Sequence, residues 1–78
     1  MIVKVYSTPF CPYCVILKEF LKENNIEFED IDVSVDRAAA EEMIKKTEQT
    51  GVPVAEIGED IVIGFDREKI KELLNIEE

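Results

Sequence analysis

The sequence predicts a small α/β fold in which four strands form one mixed sheet flanked by three helices, in the order βαβαββα. Two features support this prediction. Runs rich in β-branched and aromatic residues alternate with runs whose apolar residues recur every three or four positions. The chain has 78 residues, which suits a single domain over residues 1–78.

The first strand and the first helix are predicted at residues 2–6 and 12–24. The run Ile-Val-Lys-Val-Tyr is almost continuously apolar, as expected for a strand covered on both faces. Pro12 suits a helix start because its missing N–H needs no partner there. The helix face that packs on the sheet is predicted to consist of Ile16, Leu17, Phe20 and Leu21.

Residues 26–33 predict a second strand. The intervening helix makes a right-handed crossover, so this strand is expected to lie parallel to the first. Ser34 or Asp36 can cap the helix that follows. Met43 and Ile44 are expected to face inward from this second helix.

A hairpin and a closing helix are predicted for the last third of the chain. Residues 51–57 and 61–63 form the hairpin, with Pro53 near the start of its first strand, where proline is tolerated. Asp66 has the chemistry of an N-cap, and the helix is expected over residues 67–75.

The chain is acidic, with a formal net charge of −9. This charge repels phosphate backbones and anionic membranes, so neither nucleic acid nor a membrane is expected as a partner. No run approaches the roughly 18 apolar residues of a membrane span, and the N-terminus lacks the pattern of a secretion signal. A monomeric cytoplasmic protein is therefore expected.

The two cysteines lie three positions apart, as Cys11-Pro12-Tyr13-Cys14, between the first strand and the first helix. Unpaired N–H groups and the positive dipole end of a helix start stabilise a thiolate, which predicts Cys11 as the nucleophile. One helical turn returns Cys14 to the same face, which predicts Cys14 as the resolving thiol. Tyr13 either contacts the substrate or is simply an exposed ring.

Two other interpretations of the cysteine pair are weaker. A structural disulfide across so short a loop would remove little entropy from the unfolded chain, and such disulfides are rare in a reducing compartment. A structural zinc ion takes four ligands, whereas the chain offers two thiols and has no histidine.

Three short segments resemble the glutaredoxins, a family with the thioredoxin-like fold. They are the dithiol motif Cys11-Pro12-Tyr13-Cys14, the pair Val52-Pro53, and the run Gly64-Phe65-Asp66 before the last helix. The resemblance spans the whole chain. It is strongest to the compact bacterial and archaeal glutaredoxin-like proteins.

The resemblance implies a dithiol oxidoreductase that reduces protein disulfides or glutathione mixed disulfides. It implies a cis bond before Pro53 and a substrate that pairs, as an added strand, with the backbone of Val52. It also implies substrate contacts at Gly64, Phe65 and Asp66. For Asp66, binding of a glutathione amino group and helix capping alone both remain open.

Three positions depart from the usual family pattern: Thr8 replaces a lysine, Gly51 a threonine, and Ile63 a glycine. Two electron donors therefore remain open, namely glutathione as a co-substrate or a flavoprotein of the thioredoxin-reductase type. No tightly bound cofactor is expected. The alternative function is an iron–sulfur cluster or metal-binding module assisted by glutathione.

Overall fold

The computed structural model describes residues 2–76 and confirms the predicted α/β architecture and element order. The strands are β1 (Val3–Ser7), β2 (Glu29–Asp32), β3 (Val54–Ile57) and β4 (Asp60–Ile63). The helices are α1 (Pro12–Glu23), α2 (Arg37–Thr47) and α3 (Arg67–Leu74). Within residues 2–76, no helix has the length and apolar character needed to cross a membrane.

The four strands form one mixed sheet in the order β2-β1-β3-β4. Strand β1 runs parallel to β2 and antiparallel to β3, so that Tyr6 lies opposite Ile31 on one side and Val54 on the other. Strands β3 and β4 form the predicted hairpin, although β3 begins at Val54 and the predicted first residues, 51–53, lie in the loop before it. Because β1 and β3 are antiparallel neighbours, the end of β1 lies beside the start of β3.

The sheet has a separate apolar layer on each face. Helices α1 and α3 cover one face, where the buried residues are Val3, Val5, Leu17, Phe20, Leu21, Ala55, Ile57, Val62 and Ile70. Helix α2 covers the other, where the buried residues are Tyr6, Ala39, Met43 and Val54. This division follows from the alternation of side chains along each strand.

Two residues expected to face inward are exposed. Ile16 is 45% exposed and Ile44 is 41% exposed, while the adjacent Leu17 and Met43 are buried. Successive residues of an α-helix are separated by about 100° around its axis. In each helix the sheet contacts one narrow stripe, and the isoleucine lies beside that stripe.

The second strand is shorter than predicted because the residues before Glu29 close α1 and pack against the α1/α3 layer. Asn25 has a positive φ of 57°, and the Ile26 N–H donates to the Leu21 carbonyl oxygen at 2.9 Å, which closes α1. Ile26 and Phe28 then pack against the α1/α3 layer before β2 begins at Glu29. Of the two candidate caps for α2, Asp36 is the N-cap.

Candidate active site

The two cysteines lie at the start of α1, directly after the loop that leaves β1. Cys11 is the N-cap residue and Pro12 occupies the first turn. The backbone N–H of Cys14 donates to Cys11 Sγ, with a distance of 3.2 Å between nitrogen and sulfur. Cys11 Sγ therefore lies at the positive end of the α1 dipole, hydrogen-bonded to an N–H of the first helical turn.

The two thiols differ in their exposure to solvent. Cys11 is partly exposed, whereas Cys14 is fully buried. Burial raises the pKa of Cys14 from about 9.0 to about 11, with a further contribution from its hydrogen bond with Cys11. A hydrogen bond with the Thr8 backbone and the positive charge of Lys18 act in the opposite direction. Cys14 is therefore a protonated thiol at neutral pH.

The segment Val52-Pro53 lies against the dithiol. The peptide bond between these residues is cis, as the resemblance implied, and Pro53 is buried. The Cys11 thiol donates to the Val52 carbonyl oxygen, with 3.7 Å between sulfur and oxygen. Within residues 2–76 the N–H of Val52 has no hydrogen-bond partner, so it is available to an extended chain placed beside Cys11.

The run from Gly64 to Asp66 is joined to this site by a hydrogen bond between the backbones of Gly64 and Pro53. Gly64 has a φ of +79°, and its N–H donates to the Pro53 carbonyl oxygen at 2.8 Å. The exposed Asp66 is the N-cap of α3, and its Oδ1 accepts from the Lys69 N–H at 3.2 Å. Its carboxylate therefore has a structural partner, while no hydrogen bond within residues 2–76 involves its second oxygen.

The aromatic candidates occupy different environments. Tyr13 is 64% exposed beside the dithiol, and Phe10 is even more exposed. The ring of Phe65 packs edge-to-face on Phe20 with centroids 5.8 Å apart, on the α1/α3 side of the sheet. The structure thus supports a packing role for the Phe65 ring. Substrate contact by Tyr13 or Phe65 stays a prediction.

Two polar arrangements near the site were missed by the sequence analysis. The buried Ser7 donates to Asp30 Oδ1 at 2.9 Å, and Lys18 donates to Asp30 Oδ2 at 3.1 Å. The other arrangement joins Gln49 to the backbone of Gly51. Neither has a signal in the sequence, since the first depends on how β1 and β2 pair and the second on how a loop folds.

The donor set does not fit a metal ion or cluster held by one chain. Within residues 2–76, no group of three or more cysteine, aspartate or glutamate side chains is placed to hold a metal. Cys14 is fully buried and Cys11 caps a helix, so the accessible soft donor is a single thiol.

Comparison with known proteins places these features in a family. A sequence model of the glutaredoxin family matches residues 3–62. An uncharacterized glutaredoxin-like 8.6 kDa protein in the rubredoxin operon of Clostridium pasteurianum is 44% identical over 72 residues, which cover 92% of this chain and 96% of that protein.

Solved structures agree with this assignment. A crystal structure of a variant of the thioredoxin-like protein BC3987 has a TM-score of 0.91 and 44% identity, covering 96% of each chain. The glutaredoxin of Archaeoglobus fulgidus has a TM-score of 0.85 and 31% identity, covering 92% of this chain and 84% of that one. The chain belongs to the glutaredoxin family.

Proposed function

We propose that the chain is a dithiol disulfide oxidoreductase, which reduces disulfides of proteins or mixed disulfides of glutathione through Cys11 and Cys14. One observation carries this proposal. Cys11 Sγ is partly exposed, accepts the Cys14 N–H at 3.2 Å and lies 3.7 Å from the Val52 carbonyl oxygen. These contacts support a role for Cys11 Sγ as the nucleophile, beside a backbone that can align a substrate chain. Membership of the glutaredoxin family supports thiol–disulfide chemistry.

In the first step the Cys11 thiolate attacks one sulfur of the substrate disulfide. The substrate S–S bond breaks, a mixed disulfide forms at Cys11, and the leaving thiolate takes a proton from solvent. The helix start stabilises the attacking thiolate without a histidine base, which the chain lacks. The substrate backbone pairs with Val52 during this step.

In the second step Cys14 loses its proton and attacks Cys11 Sγ. The mixed disulfide breaks, the substrate sulfur leaves as a thiolate that takes up a proton in place of the one Cys14 released to solvent, and the Cys11–Cys14 disulfide retains the oxidation. The charge of Cys11 and its hydrogen bond with Cys14 both raise the pKa of Cys14. Both influences weaken once Cys11 is in a mixed disulfide, because that sulfur no longer carries charge. Burial, which is the largest cause of the raised Cys14 pKa, remains, so formation of the mixed disulfide lowers that pKa only in part.

An external reductant must then supply two electrons to the Cys11–Cys14 disulfide. Glutathione as a co-substrate and a flavoprotein of the thioredoxin-reductase type are the two candidates. Thr8, which replaces the family's lysine, removes one cation that would hold a glutathione carboxylate. Neither donor is favoured by the contacts of the described residues, so the test includes both.

The test follows NADPH consumption in two coupled assays. One contains glutathione and glutathione reductase with a glutathione mixed disulfide; the other contains a thioredoxin reductase with insulin as the disulfide substrate. We expect turnover in at least one assay, and the active assay identifies the donor. If the protein accelerates the reduction of neither substrate above the rate measured without it, even when a chemical dithiol supplies the electrons, the proposal is contradicted.

A further inference from the structure

The side chain of Gln49 holds both polar backbone groups of Gly51. The Gly51 N–H donates to Gln49 Oε1 at 2.7 Å, and Gln49 Nε2 donates to the Gly51 carbonyl oxygen at 3.1 Å. Gln49 Nε2 also donates to Thr47 Oγ1 at 3.3 Å, and this hydroxyl donates to the Met43 carbonyl oxygen at 2.8 Å. Gly51 is thus tied to the C-terminal end of α2.

This arrangement sets the direction of the substrate-facing backbone. The Gly51 carbonyl and the Val52 N–H belong to one planar trans peptide group, in which the two bonds point in opposite directions. When Gln49 fixes the carbonyl, it also fixes the Val52 N–H. That N–H has no partner within residues 2–76, and the carbonyl of the same residue contacts Cys11.

The lack of a side chain at Gly51 follows from the same contacts. A Cβ at this position would lie 2.7 Å from Gln49 Oε1, so the end of the Gln49 side chain would have to shift away from its present contact with the Gly51 N–H. The φ of Gly51 lies outside the left-handed region, so the backbone itself would accept another residue. The glycine at this position, where the family usually has threonine, leaves room for the Gln49 amide to reach the Gly51 backbone.

We propose that Gln49 is a positioning residue, which holds the Gly51–Val52 peptide plane so that the Val52 N–H faces the substrate strand beside Cys11. This inference rests on the proposed oxidoreductase function. Gln49 itself touches neither the reacting sulfurs nor the substrate. Its effect is on capture and alignment of the disulfide, whereas the intrinsic reactivity of Cys11 depends on the start of α1.

The test compares Gln49→Ala with the wild type, using insulin and a glutathione mixed disulfide as probes. Loss of one aligned hydrogen bond predicts a decrease of roughly three- to tenfold in kcat/KM, mainly through KM. The rate of Cys11 alkylation by iodoacetamide, which needs no strand pairing, is expected to stay unchanged. Thr50→Ala is the matched control, because this exposed neighbour makes no side-chain hydrogen bond within residues 2–76.

A double-mutant cycle sharpens the test. Gly51→Ala displaces the Gln49 amide and is expected to reduce kcat/KM by the same factor as Gln49→Ala. Once Gln49 is alanine the clash is gone, so adding Gly51→Ala is expected to have little further effect. Fully additive losses would contradict the proposal.

Two other results would overturn it. Unchanged kcat/KM in Gln49→Ala shows that the side chain does not position the substrate. A parallel fall in alkylation rate, melting temperature and kcat/KM shows a general structural role. If the wild type itself reduces neither probe, the proposed function is wrong, and the inference that depends on it is wrong as well.

Discussion

The thiol of Cys11 donates to the carbonyl oxygen of Val52, although 41 positions separate the two residues in the chain. The contact follows from the topology of the sheet. Cys11 follows β1, Val52 precedes β3, and these strands are antiparallel neighbours with Tyr6 opposite Val54. The end of one strand thus meets the start of the other at the same edge, where Cys11 Sγ and the backbone of Val52 come together.

Substitution of each cysteine is expected to give a different product. Cys11→Ser removes the nucleophile and is expected to abolish reduction of both protein and glutathione disulfides. Cys14→Ser leaves the first step intact, so a mixed disulfide is expected to accumulate at Cys11. Mass spectrometry of the protein after mixing with a glutathione mixed disulfide detects this adduct as an added glutathione.

The burial of Cys14 allows the roles of the two cysteines to be checked by their rates of alkylation. Alkylation of the native reduced protein is expected to occur at Cys11 much faster than at Cys14, because Cys14 is fully buried and its pKa is raised to about 11. Peptide mapping after a short exposure identifies the modified residue. Rapid modification of Cys14, or an adduct trapped on Cys14 in Cys11→Ser, would reverse the two roles.

The raised pKa of Cys14 predicts that the reduced protein loses stability in alkaline solution. Between about pH 9 and pH 11 the unfolded chain releases the Cys14 proton while the folded chain retains it. The unfolded state then binds fewer protons, so the free energy of unfolding falls as pH rises. A pKa change from 9.0 to about 11 predicts a loss of about 1 kcal/mol between pH 9 and pH 10.

Urea unfolding under reducing conditions measures this loss, with Cys14→Ala as the control. The variant keeps Cys11 and every other titratable group, so the difference between the two pH profiles reports the Cys14 thiol together with its interaction with Cys11. The measurements stay below pH 10 because Lys46 also changes the stability in more alkaline solution. Its pKa is raised by hydrogen bonds to Glu56 and Glu42. That stabilisation is lost only as pH rises above the unfolded lysine pKa of about 10.4. Identical profiles would show that burial does not hold the Cys14 proton.

The parts of the fold that could be predicted from sequence are those set by local patterns. Apolar spacing located the helices, Asp66 marked the start of α3, and the start of α2 was narrowed to Ser34 or Asp36, of which Asp36 is the cap. The contact between Cys11 and Val52 is non-local, so the sequence indicated it only through the family resemblance. The link from Gln49 to Gly51 depends on side-chain geometry in a loop, which no periodic pattern encodes.

The exposed Ile16 and buried Leu17 give a matched pair for testing where α1 meets the sheet. Leu17 is fully buried in the α1/α3 layer, so Leu17→Ala is expected to reduce the free energy of unfolding by about 2–5 kcal/mol. Ile16 is 45% exposed, and Ile16→Ala is expected to cost less than about 1 kcal/mol. Chemical denaturation of both variants measures the difference. Equal losses would mean that the sheet contacts a wider helix face.

Substitutions of Asp66 separate its two proposed roles. Asp66→Ala removes the N-cap acceptor for the Lys69 N–H and is expected to reduce stability by about 1 kcal/mol. Asp66→Asn keeps an equally good cap, so its stability is expected to match the wild type, but it removes the negative charge.

If the carboxylate also binds the amino group of glutathione, Asp66→Asn raises the KM for a glutathione mixed disulfide by roughly three- to tenfold. We expect this rise, because one carboxylate oxygen remains available at an exposed position beside Gly64. An unchanged KM with retained stability would assign Asp66 to helix capping alone.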